Sequence, residues 1–126
     1  MPKEPRWDTT PQDDDYAAAS RYLSLLLSPE SSSKLSEGLM KRPLVQHRAN
    51  DLLRASTLAL LPADDPEVVK DLKKVKRGKK LSPVLLVRGR LAEAPLTVAD
   101  GYHRICASYH LNPDSTIPCR IGNLVG

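Results

Sequence analysis

Short apolar runs alternate with helical patterns over the second half of the chain, and this alternation limits the fold more than any other feature. Residues 81–87 and 96–99 are brief and apolar with β-branched side chains, which favours buried strands. Residues 117–121 form a third run, in which Pro118 indicates an edge position or a strand start. Helical patterns lie between these runs. The sequence therefore predicts a small mixed sheet with packed helices, an α/β (α+β) fold.

The helix with the clearest signals covers about residues 66–77. Asp65 is a good N-cap, Pro66 suits the first helical position, and Gly78 provides a left-handed exit. A stripe of apolar residues runs along one side: Val68, Leu72 and Val75. A short strand near residues 44–47, a helical turn near 50–55 and a helix over 102–110 complete the pattern. From residue 45 the order is β-α-α-β-β-α-β.

The N-terminal third has a different character. Residues 1–14, with three prolines and an acidic run, predict a flexible tail. Residues 15–43 predict a helical extension, with a first helix over 15–27 carrying Ala19, Leu23 and Leu26, and a second start at Ser28. The apolar first helix either covers the core or forms a homodimer interface. Residues 44–126 are then the folded α/β domain.

Length and composition narrow the class of protein. A chain of 126 residues is about one domain, and its net charge of +4 mildly favours phosphate-bearing partners. Cys106 and Cys119 lack zinc-type spacing, which predicts two reduced, buried thiols. No segment reads as a secretory signal or reaches the length of a membrane span, so we expect a cytoplasmic protein without membrane contact.

The turn at residues 100–104 is the one segment whose residues point to chemistry. A strand ends and a helix begins with almost no loop, so free amides and the positive end of the helix dipole face outward. Gly101 lets an anion approach the backbone, Arg104 offers a planar fork of donors, and His103 can donate or move a proton. Asp100 either caps the helix or positions a metal carried by a nucleotide.

A simpler interpretation of the same turn stays open at this point. Asp100 would then be only a helix cap, and Arg104 only a surface charge. The face shared by Tyr102 and Cys106 would pack on the sheet in either case.

The segment from Asp100 to Ala107, with its Gly-x-x-Arg-x-x-Ala pattern, resembles the second conserved box of the ParB/sulfiredoxin-like superfamily. The preceding Gly78 and the Pro-apolar strand from Pro83 to Val87 look like another element of that family. The resemblance covers about residues 44–121. It implies a ParB N-terminal-like fold that binds a nucleotide phosphate through Gly101, Tyr102, His103 and Arg104.

Members of the family bind CTP, use ATP to repair peroxiredoxin, phosphorylate serine, or are described as nucleases. The resemblance therefore implies ATP, ADP or CTP as the ligand, with Mg²⁺ held through the nucleotide by Asp100, and His103 and Asp100 as catalytic candidates. Tyr102 stands where the sulfiredoxins have their cysteine, which argues against that chemistry. The serine kinases rely on a Glu near the first strand, and this chain has Gln46 and His47 there.

Other candidates are less specific. Arg54 and Ser56 lie in a segment that approaches the nucleotide in the family, and His47 is a candidate base or an ordinary surface or packed histidine. Residues 70–80 hold seven Lys or Arg against one acid, which indicates a DNA-binding patch or a solvated helix end. The candidate nucleic-acid contacts are Lys73, Lys74, Lys76 and Arg77.

Two classes of function stay open from the sequence. The first is a nucleotide-binding enzyme with phosphotransferase, hydrolase or nuclease activity. The second is a non-catalytic module that binds a nucleotide, DNA or a protein as a regulator.

Overall fold

A computed structural model describes residues 4–89 and 95–123, and it confirms a mixed α/β fold. The described residues form five helices and six strands. In chain order these are β1 (Arg6–Trp7), α1 (Asp13–Leu23), α2 (Pro29–Met40), β2 (Val45–Arg48), α3 (Ala49–Ser56), α4 (Pro66–Lys76), β3 (Lys80–Leu81), β4 (Val84–Arg88), β5 (Thr97–Asp100), α5 (Tyr102–Leu111) and β6 (Thr116–Asn123).

The centre of the molecule is a four-stranded sheet in the order β2-β6-β4-β5. Strand β4 is parallel to β6, while β2 and β5 are antiparallel to their neighbours. Successive side chains of β4 enter two different apolar clusters. Val84 and Leu86 pack with α3, α4 and α5 on one face, and Leu85 and Val87 pack with α1 and α2 on the other. Helices thus cover both faces of the sheet.

Local signals in the sequence located the start of α2 and both ends of α4. Asp65 caps α4, since its carboxylate accepts hydrogen bonds from the amides of Glu67 and Val68, both at 3.1 Å. Ser28 caps α2 in the same manner, and Gly78 has a φ of +74° after α4. The apolar stripe of α4 faces the core as predicted: Val68 and Val75 are buried and Leu72 is half-buried.

The N-terminal segment departs from its prediction. The structure describes residues 4–12, and β1 pairs in parallel with β3 inside the region expected to be a tail. Helix α1 ends at Leu23, so Leu26 lies beyond it and is exposed. Tyr16, Ala19 and Leu23 are buried against the sheet. Helix α1 therefore covers the core, which was the first of its two predicted roles. A homodimer interface stays a prediction.

Two proline positions account for further differences between the predicted and the observed strands. Ser82 and Pro83 divide the strand predicted over 81–87 into β3 and β4. Strand β6 is not an edge strand, because it lies between β2 and β4. Pro118 is accommodated near its start, since the pairing of β6 with β4 begins one residue later, at Cys119.

An irregularity in the β4–β5 pair positions the turn that follows β5. Leu85 lies opposite Asp100, whereas Leu86 lies opposite Val98, so β5 contains one extra residue there. Bulges of this kind change the direction of a strand and occur next to functional sites. The bulge places the end of β5 beside the start of β4, where α5 begins.

No helix in residues 4–89 and 95–123 is long and apolar enough to cross a membrane. Both cysteines are free and buried, as predicted. Burial raises the pKa of Cys119 to about 12 and raises the pKa of Cys106 above its ordinary value.

We expect both thiols to be unreactive in the folded protein, because a buried thiol is neither ionised nor accessible. Iodoacetamide at neutral pH should label Cys106 and Cys119 only after addition of denaturant, as measured by mass spectrometry. Rapid labelling of either cysteine without denaturant would show that its burial is incomplete.

Candidate functional site

Helix α5 begins at Tyr102, and its N-cap residue, Gly101, leaves it without a side-chain cap. Gly101 has a φ of +115°, and no side chain accepts a hydrogen bond as N-cap. A Cβ at this position would lie 2.4 Å from Val84 Cγ1, a distance that real side chains do not reach. The glycine is thus required by its contact with β4, a constraint within the protein that the sequence did not reveal.

Arg104 is neither a surface charge nor free. Its side chain is only 16% exposed, and Nη2 donates to Asp100 Oδ2 at 2.8 Å and to the Pro83 carbonyl at 3.3 Å. Asp100 is therefore the partner of Arg104 rather than the helix cap. The Nε atom of Arg104 is buried and has no hydrogen-bond partner among the described residues.

A second carboxylate reaches the same guanidinium from helix α1. Asp15 Oδ1 lies 3.7 Å from Arg104 Nη1, and the Asp15 side chain is only 13% exposed. Its other oxygen accepts a hydrogen bond from the amide of Gln12 at 2.9 Å, which fixes it at the start of α1. This contact was not predicted from the sequence, where the acidic run at residues 13–15 was explained by the helix dipole.

A third acid, Asp71 on α4, is buried and lies close enough to Arg104 for their charges to interact. Burial raises the pKa of Asp71, and the nearby positive charges of Arg104 and Lys74 oppose that rise. The sequence contained a signal for this residue. Asp71 lies three residues after Val68 and four before Val75, so it shares the buried side of α4.

Burial also raises the pKa of Asp100, although Arg104 favours its ionised form. The negative charge of Asp15 acts in the same direction as burial. Arg104 is therefore in contact with two carboxyl groups, Asp100 and Asp15, and within electrostatic range of a third, Asp71. Burial makes Asp71 and Asp100 bind their protons more tightly than usual. A carboxyl group with a raised pKa can gain or lose its proton when the charge around it changes.

Tyr102 and His103 occupy the first turn of α5 and are half-buried. Their rings lie 5.7 Å apart between centroids, and the Tyr102 hydroxyl donates to the Ala59 carbonyl. This bond ties the segment after α3 to the start of α5. His103 can donate a hydrogen bond from this position.

The structure does not bring Arg54 or Ser56 to this turn. Arg54 pairs with Asp51 at 3.8 Å and lines an open surface pocket with Tyr109. Tyr109 is about 10 Å along the helix from Tyr102, from the rise per residue of an α-helix. Ser56 is buried, and its hydroxyl donates to the Leu53 carbonyl at 3.2 Å.

The other predicted residues lie on separate surfaces. His47 lies on β2 and contributes to a cavity at another edge of the sheet. The side chains of Lys73, Lys74, Lys76 and Arg77 are exposed at the C-terminal end of α4. The structure therefore brings together Asp100, Gly101, Tyr102, His103 and Arg104 and leaves the remaining candidates apart.

Within the described part of the chain, no group of three or more His, Cys, Asp or Glu side chains could hold a metal ion. Asp100 has one carboxylate oxygen bonded to Arg104 and one other oxygen. A Mg²⁺ ion at this turn would therefore need most of its ligands from a nucleotide and water.

Comparison of the chain with protein-family models, with curated proteins and with solved structures gives no match. The resemblance to the ParB/sulfiredoxin-like superfamily thus rests on the residues of the turn and the order of the elements around it.

Asp71→Asn should raise the free energy of unfolding at neutral pH, because burial disfavours the charged carboxylate. A folded-state pKa above 3.8 means that the native protein binds the carboxyl proton of Asp71 more tightly than the unfolded chain does. The destabilisation of the wild-type protein by Asp71 is then absent at low pH and develops as the pH rises through the folded-state pKa. Urea unfolding of both proteins at about pH 7 and pH 3 tests this linkage.

Asp64→Asn provides the control, since Asp64 is exposed and precedes the same helix. A loss of stability in Asp71→Asn at neutral pH would mean that attraction to Arg104 and Lys74 outweighs the burial.

Proposed function

We propose that the protein binds the phosphate groups of a nucleotide at the start of α5. The observation that carries the proposal is Arg104 Nη1, whose acidic neighbour Asp15 stands 3.7 Å away, beside a helix start without a side-chain cap. Uncapped amides and the positive end of a helix dipole attract anions. A guanidinium adds a planar set of donors that matches phosphate oxygens.

The distances to Arg104 suggest how a ligand enters. Asp100 is hydrogen-bonded at 2.8 Å, whereas Asp15 stands at 3.7 Å, beyond hydrogen-bond length. The Asp15 contact is therefore the weaker of the two. A phosphate has the charge sign of Asp15 and takes its place opposite Nη1, while Asp100 continues to hold the guanidinium.

The chemistry of the turn supports binding more directly than turnover. The amides and Arg104 stabilise negative charge, and His103 can give a hydrogen bond or a proton to a phosphate oxygen. Asp100, with its raised pKa, contributes a proton site or a ligand to Mg²⁺ carried by the nucleotide. None of these groups is assigned as a general base, so the proposal is a nucleotide-binding domain for ATP, ADP or CTP.

Asp15→Asn should strengthen nucleotide binding about threefold to tenfold, because it removes a negative charge that competes for Arg104. Arg104→Gln should abolish binding. Isothermal titration calorimetry with ATP, ADP and CTP, with and without Mg²⁺, measures both effects. Asp14→Asn is the matched control, since Asp14 is exposed on the same helical turn and should not alter the affinity.

Unchanged affinity in Arg104→Gln would show that nucleotides bind elsewhere. Weaker binding in Asp15→Asn would show that Asp15 supports the ligand instead of competing with it. Release of phosphate or transfer to an added acceptor would identify an enzyme, whereas binding without product would identify a regulatory module.

A second candidate function is DNA binding by the C-terminal end of α4. Lys73, Lys74 and Arg77 are exposed there, close to Lys79 and Lys80. This concentration of positive charge contrasts with the compensated charge of Arg104. Contacts of lysine and arginine with phosphates give binding that is independent of sequence and sensitive to salt.

If DNA binds there, Lys73, Lys74 and Arg77 changed together to Gln should weaken duplex binding and reduce its salt dependence. The slope of log affinity against log salt should fall by about one unit per lost phosphate contact. Fluorescence anisotropy with a mixed-sequence duplex measures both quantities. The control changes Lys34 and Lys41 to Gln on α2 and its C-cap, and equal affinity in the two variants would exclude α4 as the contact.

A further inference from the structure

A cavity of about 590 Å³ lies at the far end of β4 from the α5 turn. We call it the α3–β4 pocket, and its lining includes His47, Asp51, Leu52, Arg88, Leu96 and Ile121. The turn is at the start of β4 and the pocket at its end. Since β4 has five residues, these points are about 13 Å apart. The pocket is thus separate from the proposed nucleotide site.

The floor of the pocket is apolar. Leu52 of α3 is buried, and Leu96 and Ile121 are half-buried beside it. The amide of Leu96 donates to the Ala55 carbonyl at 3.1 Å, which joins the two sides of the pocket. Ligand cavities of proteins commonly have volumes of about 300–1,000 Å³, an apolar lining and a few polar groups that orient the ligand.

The rim carries one arginine, Arg88, and one acid, Asp51. Arg88 donates from Nη1 to Asn123 Oδ1 at 3.3 Å, and this neutral partner leaves the guanidinium charge in place. The acid of the rim, Asp51, is already paired with Arg48 at 2.9 Å and with Arg54 at 3.8 Å. An anionic group on a ligand would therefore meet Arg88 without opposition from an unpaired carboxylate of the rim.

The backbone conformation of Thr57, at the rim, also indicates that the surrounding structure imposes the shape of the pocket. Thr57 lines the pocket and has a φ of +56°, a left-handed conformation that is unfavourable for a β-branched residue. Thr57 is also the C-cap residue of α3. Conformations of this kind persist where the surrounding structure imposes them, and they concentrate at ligand sites.

We propose that the α3–β4 pocket binds a small organic carboxylate, with its apolar body on Leu52, Leu96 and Ile121 and its carboxylate on Arg88. The apolar floor selects a ring or branched chain, and the guanidinium selects a planar anion. The pocket and the α5 turn are then two separate ligand sites on opposite ends of one strand.

The test uses three probes that share one apolar body: 3-phenylpropanoate, 3-phenylpropanamide and 3-phenylpropylamine. Each is added to the ¹⁵N-labelled full chain and followed by amide NMR shifts. We expect saturable shifts at Leu52, Leu96 and Ile121 with the carboxylate. Its affinity should exceed that of the carboxamide by about fivefold or more, as for a hydrogen bond to a charged group, and the amine should bind most weakly.

Variants separate the two parts of the site. Arg88→Gln should reduce the affinity for the carboxylate probe to that for the carboxamide probe. Arg21 is an exposed arginine on α1, and the control variant Arg21→Gln should leave both affinities unchanged. Ala55→Leu fills the pocket from its exposed wall and should abolish binding of both probes while the spectrum stays native. Equal affinities for the three probes, shifts outside the pocket, no saturable shifts, or unchanged binding in Ala55→Leu would overturn the proposal.

Discussion

The buried guanidinium of Arg104 is the interaction on which the arrangement around the α5 turn depends. A charge with little exposure is costly unless partners surround it. Its partners come from three separate segments: Asp100 at the end of β5, the Pro83 carbonyl before β4, and Asp15 at the start of α1. One side chain therefore joins the turn to the sheet and to the N-terminal helix.

The same interaction links the proposed function to the packing of the N-terminal helices. A ligand phosphate at Arg104 meets the carboxylate of Asp15, and that carboxylate is held by the Gln12 amide and by the burial of α1 on the sheet. Binding is then a competition between an internal and an external anion. The α3–β4 pocket is outside this competition, because it lies at the opposite end of β4 and its own guanidinium, Arg88, bonds to the neutral side chain of Asn123.

Particular residues show how far the sequence could be interpreted. The caps Asp65 and Ser28 and the exit Gly78 were predictable, because each acts on neighbouring backbone groups. The edge position considered for Pro118 was wrong, since strand order depends on contacts between distant segments. Ser56 was expected near a nucleotide but is buried, because the orientation of α3 is fixed by packing on the sheet.

The sequence by itself determined most of the helices and brought Gly101, Tyr102, His103 and Arg104 into one helical turn, since these residues are neighbours in the chain. Only the tertiary structure decided which charges surround that turn. Asp15 and Asp71 lie far from Arg104 in the chain. Asp15 reaches it because α1 packs on the sheet, and Asp71 comes within range of its charge because α4 packs beside α5 on the other face. Burial then raises the pKa of Asp71 and of Asp100, because the packing of the tertiary structure removes these acids from water.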